Sequence, residues 1–374
     1  MSINLRFKNL GDTKTKISSI GLGTGTGFKY IDKKRDQKLI YILQRAVDFG
    51  INFIDTAEVY FDGHAEKIIG KAFKKKRENV FIATKFSPEH SSCRQVLKAA
   101  EDSLKRLQTD YIDLYQIHWP NPIVSFEETL KGLEKLNKDG KIKYIGACNF
   151  SLRQLKDIQK ISKFPIISLQ TEFNLLERSM EHDLLPYCEK NGITVIAYTP
   201  LNSGSILKTE KYSKIFLNLS KKYNMSASQI ILNFLISHPP VIAIPATTNV
   251  NHLEENANAA EFVLKKADID LLARTFTTKV MNIDTGKIKI ITIADHAAYK
   301  TVEEALSNKL NFFPSPKMLS EDIQKGDFLK PVRVRKLQKK DGILEYELLN
   351  GRIRYWAWVI AFKGKKPIPA IIED

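Results

Sequence analysis

The stretch GINFIDTAEVY, residues 50–60, joins a short apolar run to polar residues that can do chemistry. The run INFI, residues 51–54, has the length and composition of a β-strand. Asp55 follows this run directly, and Tyr60 comes five residues after Asp55. The stretch therefore predicts a buried strand with a carboxylate and a phenol just beyond its end.

The same arrangement occurs twice more along the chain. VFIAT, residues 80–84, ends at Lys85, and IDLYQI, residues 112–117, ends at His118. In a barrel of parallel strands, the carboxyl ends of the strands meet on one face, and that face carries the chemistry. We therefore expect the carboxylate, the phenol, the ammonium and the imidazole to lie together.

Short apolar runs alternate with longer amphipathic runs from the start of the chain to about residue 275. The strand candidates are residues 17–21, 51–55, 80–84, 112–117, 142–146, 166–170, 194–198 and 241–244. The helix candidates include residues 37–49, 65–75, 93–107, 126–139, 152–162, 181–190 and 226–237. Eight strand–helix repeats over this length predict a TIM (β/α)8 barrel of the α/β class. A chain of 374 residues also has room for a smaller second domain.

The four polar residues suit the reduction of a carbonyl group by hydride. The developing alkoxide needs a proton, which the phenol of Tyr60 can donate. A neighbouring ammonium favours the phenolate, so Lys85 is expected to lower the pKa of Tyr60, with Asp55 as its counter-ion. His118 is expected to donate a hydrogen bond that orients the substrate carbonyl. Any one of these residues alone is more often a surface or core group, but four at matched strand ends favour a site.

These stretches resemble the aldo-keto reductases, most clearly in residues 50–60, in ATK at 83–85 and in DLYQIHWP at 113–120. The resemblance runs through nearly all of residues 3–278. It implies an NAD(P)H-dependent oxidoreductase that reduces an aldehyde or ketone on a TIM barrel over residues 1–278. The catalytic residues that it implies are Asp55, Tyr60, Lys85 and His118.

The same resemblance implies a set of cofactor-binding positions. GACNFS, residues 146–151, is similar to the family segment that grips the nicotinamide carboxamide, although Cys148 stands where a serine is usual. A second implied carboxamide contact and an aromatic that stacks on the nicotinamide ring come from later strand ends. The implied contacts are Gly23, Thr24, Asn149, Gln170, Tyr198, Pro200, Leu201, Ser203, Gly204, Thr247, Glu255 and Asn256.

The last cofactor segment, residues 244–256, departs most from the family pattern. Ala246 and His252 occupy positions where the family often has a lysine and an arginine, which neutralise the 2′-phosphate of NADP. The loss of two charge-assisted partners weakens a preference for NADP. The resemblance implies NADPH as the cofactor, and NADH stays open.

The formal net charge of +16 raises the question of a nucleic-acid partner. Residues 281–374 hold 17 Lys or Arg and 12 Asp or Glu, a net charge of +5, so the positive excess is spread over the chain. Diffuse positive charge is weak evidence for a DNA site. The chain has three cysteines without metal-type spacing, no signal-peptide pattern and no membrane-length apolar run. These features predict a cytoplasmic protein with reduced thiols, and they indicate no candidate metal site.

Beyond the barrel, residues 279–374 predict a small α+β domain. The strand candidates are residues 287–293, 332–335, 344–349 and 368–372, and the helix candidates are residues 302–310, 316–325 and 352–362. Trp356, Trp358 and Phe362 recur at roughly helical spacing and are expected in the core of this domain. The basic stretch at 330–340 alternates, which favours a solvated strand face over a polyanion site.

The end of this domain resembles the ParB/sulfiredoxin-like superfamily, in YELLNGRIRYWA at 346–357 and IPAI at 368–371. The resemblance implies a nucleotide phosphate at a Gly–Arg turn before a helix, a sound anion site. The candidate nucleotide-binding residues are Gly351, Arg352 and Arg354. Asn350 and Ile353 depart from the pattern, and a structural or interaction domain without a nucleotide site fits equally well. No cysteine follows Cys188, which excludes sulfiredoxin-type thiol chemistry.

Functions of different classes fit these features. The first is an oxidoreductase acting on a small-molecule carbonyl, with Phe28, Phe61, Phe86 and Trp119 predicted to line its pocket. The alternative is an NAD(P)H-binding redox sensor whose C-terminal domain binds nucleotide or DNA. A third interpretation makes that domain a scaffold for assembly. The substrate, its direction of conversion and the oligomeric state stay open.

Overall fold

A computed structural model describes residues 7–28, 32–276, 280–290, 299–312, 314–327 and 330–373. The chain divides into two compact units, and the boundary between them follows Phe276.

The first unit alternates strands and helices. Its strands are β1 (Phe7–Asn9), β2 (Lys16–Ser18), β3 (Leu22–Gly23), β4 (Phe53–Asp55), β5 (Phe81–Phe86), β6 (Ile112–Ile117), β7 (Ile142–Cys148), β8 (Ile166–Glu172), β9 (Thr194–Tyr198) and β10 (Val241–Ala243). Its helices are α1 (Lys33–Asp48), α2 (His64–Phe73), α3 (Cys93–Leu107), α4 (Phe126–Lys138), α5 (Leu152–Ile161), α6 (Leu184–Lys190), α7 (Ser205–Lys208), α8 (Ser213–Tyr223), α9 (Ala227–Ile236), α10 (Val250–Asn258) and α11 (Lys266–Thr275).

Among the described residues, eight strands form one sheet in the order β10-β9-β8-β7-β6-β5-β4-β3. Every neighbouring pair is parallel. A parallel bridge between Ile20 and Ala243 joins the two ends of the sheet. There the Gly21 N–H donates to the Ala243 carbonyl at 2.8 Å, and the Ala243 N–H donates to the Ser19 carbonyl at 3.0 Å. The sheet is therefore closed, as the prediction of a TIM-barrel fold requires.

The strand predicted at residues 17–21 was wrong in its bounds. Lys16–Ser18 instead pairs with Phe7–Asn9 in an antiparallel hairpin, and the barrel strand itself is Leu22–Gly23. Ile17 is fully buried in an apolar cluster that also contains Phe53 and Ala83. The apolar run is therefore divided between two elements. Ile17 belongs to the hairpin and packs in the cluster, whereas the barrel strand is formed by residues that follow it.

The interior of the barrel is apolar at one end and polar at the other. Side chains alternate along a strand, so Phe53 and Asp55 face one side of β4, and Ala83 and Lys85 face one side of β5. Phe53 and Ala83 belong to the buried apolar cluster. The N-terminal hairpin lies at the amino ends of the strands, where the Gly11 N–H donates to Oγ1 of the first residue of β9 at 2.7 Å. Asp55 and Lys85 therefore lie toward the opposite, carboxyl end.

Several helices begin at serines that the sequence placed next to an amphipathic run. Ser151 caps α5 and Ser226 caps α9, each in a reciprocal pair with a glutamine three residues later. The helix predicted at 181–190 is shorter, because Ser179–His182 forms a 3₁₀ turn and α6 begins at Leu184. Asp183 separates the two and caps α6 through its side chain.

The second unit is an α+β domain. Its described elements are β11 (Val280–Ile283), β12 (Ile288–Lys289), α12 (Val302–Leu306), α13 (Pro316–Gln324), β13 (Val332–Asp341), β14 (Leu344–Asn350), α14 (Arg352–Phe362) and β15 (Ile368–Glu373). The described strands form a mixed sheet in the order β11-β15-β13-β14-β12. Trp356 and Trp358 are buried in its core, with Phe362 partly buried against them, as the sequence predicted.

Three details of this unit differ from the sequence-based expectation. The strand β11 was not anticipated, and the end of the strand predicted at 287–293 falls outside the described residues. The helix predicted at 302–310 ends at Leu306, because Asn308 adopts a left-handed conformation with φ of 51°. The Asn308 side chain accepts from the Phe312 N–H at 3.1 Å and donates to the Phe312 carbonyl at 3.0 Å, which fixes a turn there.

The packing of α2 against the end of α3 generates a stability prediction. A Cβ at Gly70 would lie 2.6 Å from the Arg106 carbonyl oxygen and 2.7 Å from the Leu107 carbonyl, and backbone cannot move aside. We expect Gly70→Ala to lower the free energy of unfolding by about 1–3 kcal/mol in urea denaturation followed by circular dichroism. Lys67→Ala, on an exposed position of the same helix, should change it by about 0.5 kcal/mol or less. Equal effects of the two substitutions would contradict the close approach.

Candidate active site

Lys85 lies at the centre of a group of polar side chains at the carboxyl ends of the strands. Its Nζ donates to Asp55 Oδ2 at 2.8 Å, to the Thr56 carbonyl at 2.7 Å and to the Tyr60 hydroxyl at 3.3 Å. An ammonium has three protons, so these three bonds use all of its donors. The orientation of the Lys85 side chain is therefore fully determined, and one of its bonds is directed at the phenol.

Burial sets the protonation of the Asp55–Lys85 pair, since Lys85 is fully buried and Asp55 is 2% exposed. Burial is the largest single effect and would lower the pKa of Lys85, but the neighbouring groups together, Asp55 foremost among them, raise the pKa above its ordinary value. Burial raises the pKa of Asp55, and this rise is opposed by Lys85 and by a hydrogen bond from Gln170. The ammonium is therefore the form of Lys85 that this site holds.

Lys85 lowers the pKa of Tyr60, as expected from the sequence, but the net shift of this pKa has the opposite sign. Burial of the phenol is the largest effect and raises the pKa above its ordinary value, although the charge of Lys85 opposes the rise. The cost of burying a phenolate thus exceeds the attraction of the nearby ammonium. Tyr60 is held as the neutral phenol, which is the form that can donate a proton.

His118 faces Tyr60 edge-on, with 5.9 Å between the two ring centroids. Its backbone N–H donates to the Phe86 carbonyl at 3.2 Å, which joins the end of β6 to the end of β5. Burial, and secondarily the charge of Lys85, lowers the pKa of His118 to about 3. The imidazole is therefore neutral at physiological pH.

The structure brings together all four residues that the sequence singled out. Asp55, Lys85 and the buried thiol of Cys148 act electrostatically on the Tyr60 phenol, and the His118 ring contacts the Tyr60 ring edge-on. Burial raises the pKa of that thiol well above its ordinary value, so Cys148 is held as the neutral thiol.

The implied carboxamide contacts lie beside this group. Asn149 has a left-handed backbone with φ of 61°; its Oδ1 accepts from the Tyr198 hydroxyl at 2.9 Å and its Nδ2 donates to the His118 carbonyl at 3.1 Å. Gln170 Nε2 donates to Asp55 Oδ1 at 2.7 Å. The two amides are thus hydrogen-bonded to His118 and Asp55, and Tyr198 is connected to this group through Asn149.

The other implied cofactor positions lie at three further places on the same unit. The first is the end of β3, where the Thr24 hydroxyl donates to the Asp55 carbonyl at 2.9 Å. The second is the segment after β9, where Thr199, Asn202, Ser203 and Gly204 all have left-handed backbones. The third is the segment between β10 and α10 with that helix, and it holds Thr247, Glu255 and Asn256. Each segment follows the carboxyl end of a strand.

Part of the predicted substrate pocket was wrong. Phe28 and Phe86 are fully buried, and the ring of Phe86 packs against Tyr115 with 5.2 Å between centroids. Such side chains belong to the core. Trp119 is 36% exposed and Phe61 is half-buried, so these two remain available to a ligand.

One residue of the quoted stretch was not anticipated as part of the site. Glu58 lies between Asp55 and Tyr60, and its carboxylate is buried against the segment that follows Lys85. Its spacing from Asp55 and Tyr60 was visible in the sequence, but its partners, Ser87 and His90, are about thirty residues away along the chain.

The candidate nucleotide site of the second unit has its own geometry. Gly351 has φ of 96° and directly precedes α14. Arg354 turns back from the helix, and its Nη1 donates to the Lys330 and Pro331 carbonyls at 3.0 and 2.9 Å. This arginine holds backbone in place.

No helix in the described part of the chain is long and apolar enough to cross a membrane.

Comparisons with known proteins bear on the family of the first unit. Residues 19–275 match the model of the aldo/keto reductase family. Methylglyoxal reductase YeaE of Escherichia coli is 34% identical over 265 residues, which cover 70% of this chain and 92% of that protein.

Two solved structures are similar as well. One is a thermostable aldo-keto reductase bound to the inhibitor epalrestat, with a TM-score of 0.69 and 41% identity over 72% of this chain and 100% of the other. The second is an aldo-keto reductase of Klebsiella pneumoniae in complex with NADPH, with a TM-score of 0.67 and 30% identity over 73% of this chain and 95% of the other. From residue 19 to residue 275, this chain belongs to the aldo/keto reductase family.

Proposed function

We propose that the protein is an NAD(P)H-dependent oxidoreductase that reduces an aldehyde or ketone to an alcohol, with Tyr60 as the proton donor. The observation that carries this proposal is the contact between the Lys85 ammonium and the Tyr60 hydroxyl at 3.3 Å, beside a neutral His118. A neutral phenol next to a buried cation can release its proton to a developing alkoxide, because the cation stabilises the phenolate that remains.

Each residue of the group has a distinct role in this proposal. Tyr60 donates the proton, Lys85 stabilises the phenolate, and Asp55 keeps Lys85 charged and in place. His118 donates a hydrogen bond to the substrate oxygen, for which a neutral imidazole is suited because it adds no charge that would compete with Lys85. The Asp55 carboxylate is itself oriented by the Gln170 amide.

The residues around this group suit a nicotinamide cofactor. Asn149 and Gln170 would hold the carboxamide, and Tyr198 offers a half-buried ring to stack on the nicotinamide. The bound cofactor supplies the hydride. The remaining contacts in this proposal are Gly23, Thr24, Pro200, Leu201, Ser203, Gly204, Thr247, Glu255 and Asn256. We assign NADPH as the cofactor, which accompanies the similar Klebsiella pneumoniae enzyme, and NADH as the competing choice.

A small aldehyde is the substrate class that we favour. The similarity to a methylglyoxal reductase supports it, and methylglyoxal is therefore the first substrate to test. Phe61 and Trp119 are the accessible aromatic side chains next to Tyr60 and His118 in sequence. A cytoplasmic location and a domain boundary near residue 278 remain part of the proposal.

The redox-sensor alternative depends on the second unit. It assumes that residues 279–374 form a ParB/sulfiredoxin-like domain that binds nucleotide or DNA through Gly351, Arg352 and Arg354. The contacts of Arg354 with two carbonyls favour a structural role for this residue. The sensor and the scaffold therefore stay predictions from the sequence, and the sensor differs from the enzyme in expecting no turnover.

The proposal predicts that binding and turnover separate at Tyr60. We expect Tyr60→Phe to lower kcat for methylglyoxal by at least about 100-fold, because a phenylalanine ring cannot donate the proton. Fluorescence titration with NADPH should give the same affinity for the variant as for the wild type, since the phenol does not hold the cofactor. If the wild type binds NADPH but reduces no aldehyde, the sensor is the better interpretation.

Cofactor preference is expected to depend on Ala246, which precedes α10, and on His252 within that helix, both of which are exposed. The double substitution Ala246→Lys with His252→Arg should tighten NADPH binding by about tenfold or more, because even one charge-assisted bond to a phosphate is worth about 1.5 kcal/mol. NADH carries no 2′-phosphate, so its affinity should stay unchanged. A control with glutamine at both positions separates charge from size, and an equal gain for both cofactors would contradict the assignment.

The protonation of His118 provides a prediction that requires no substrate. Because burial and Lys85 lower the pKa of His118 to about 3, its imidazole should stay neutral from pH 8 down to pH 5. In an NMR titration of histidine-labelled protein, one imidazole signal should keep constant chemical shifts over this range. The same signal should be missing from the spectrum of His118→Gln, which assigns it to His118. A midpoint near the ordinary value of about 6.5 would contradict the burial of this ring.

A further inference from the structure

Glu58 makes three hydrogen bonds that join it to the segment that begins with Lys85. Its backbone N–H donates to the Lys85 carbonyl at 3.1 Å. Its carboxylate oxygen Oε1 accepts from the Ser87 N–H at 2.5 Å and from His90 Nδ1 at 2.7 Å. The Glu58 side chain is 8% exposed and that of His90 is 45% exposed, so the acceptor is inside and one of its donors reaches the surface.

These bonds extend to the segment that carries His118. His90 ends a 3₁₀ turn, Pro88–His90, whose first residue accepts from Asn121 Nδ2 through its carbonyl at 2.8 Å. Asn121 follows His118 by three residues. The segments beyond β4, β5 and β6 are therefore connected side by side through the turn that Glu58 holds.

The segment that carries Tyr60 needs such an attachment. Phe61 and Asp62 both have left-handed backbones, with φ of 53° and 55°, so the chain turns sharply just after Tyr60 and has no strand partners there. The bond from Lys85 to the Tyr60 hydroxyl, at 3.3 Å, is the longest of the three that Lys85 makes. A hydrogen bond of this length is lost after a small displacement of either group.

We infer that Glu58 is a positioning residue: its carboxylate oxygen fixes the Tyr60 segment against the Lys85 segment and so keeps the phenol within reach of the ammonium. The inference rests on the proposed function of Tyr60. Glu58 acts by accepting hydrogen bonds from the Ser87 N–H and from His90 Nδ1. Its negative charge is not required, because a neutral amide oxygen at the same place can accept both.

A pair of variants separates these statements. Glu58→Ala removes the acceptor and should lower kcat for methylglyoxal by about tenfold, since small misplacements of a catalytic group cost up to about 100-fold. The affinity for NADPH should stay the same. The solvent deuterium isotope effect on kcat should rise, because proton transfer from a displaced Tyr60 becomes slower relative to other steps. Glu58→Gln keeps the acceptor and should restore kcat to near the wild-type value.

Each outcome decides the question. Wild-type kcat in Glu58→Ala overturns the inference, and so does an equal loss in Glu58→Gln, which would assign the effect to charge. If Glu58→Ala does not fold, His90→Ala removes one of the two side-chain bonds at a half-exposed position; it should lower kcat about two- to fivefold, and no change there overturns the inference. Absence of turnover in the wild type itself is a different result, because it rejects the proposed function.

Discussion

The buried ion pair between Lys85 and Asp55 is the interaction on which the rest of the site depends. Removing an ammonium from water costs several kcal/mol, and this cost is offset only when every donor finds an acceptor. Lys85 meets that condition through Asp55, the Thr56 carbonyl and Tyr60. Burial lowers the pKa of His118, and the same cation lowers it further and limits the rise in the pKa of Tyr60. The Lys85 charge thus helps to keep the imidazole neutral, and it gives the phenol a neighbour that can stabilise its anion.

The barrel was predictable because buried parallel strands appear in the sequence as continuous apolar runs that end at polar residues. Strands β4 to β10 all lie within or next to the predicted runs. The strand bounds near the start of the chain were not predictable in the same way, since the apolar run around Ile17 contributes buried residues to two different elements. Part of it belongs to a hairpin and part to the barrel, and only packing against Phe53 and Ala83 distinguishes them.

Residue identities in the site could be predicted from strand ends, but their protonation could not. The sequence predicts that Lys85 lies near Tyr60, and proximity alone predicts a lowered pKa for the Tyr60 phenol. The net direction depends on how much water reaches the phenol, which is a property of the folded chain. The contacts of Glu58 with Ser87 and His90 likewise join segments that are distant in sequence, so no local pattern indicated them.

The second unit shows why a positive net charge is a poor guide to anion binding. Two arginines of β13 are already committed, Arg333 to Glu373 at 2.5 Å and Arg335 to Glu347 at 2.8 Å. The Arg354 guanidinium donates to the backbone carbonyls of Lys330 and Pro331, which precede β13. A phosphate at the Gly351 turn would have to compete with these bonds for the Arg354 guanidinium, and that competition has a free-energy cost. Packing around this turn therefore accounts for the role of Arg354 without requiring a nucleotide.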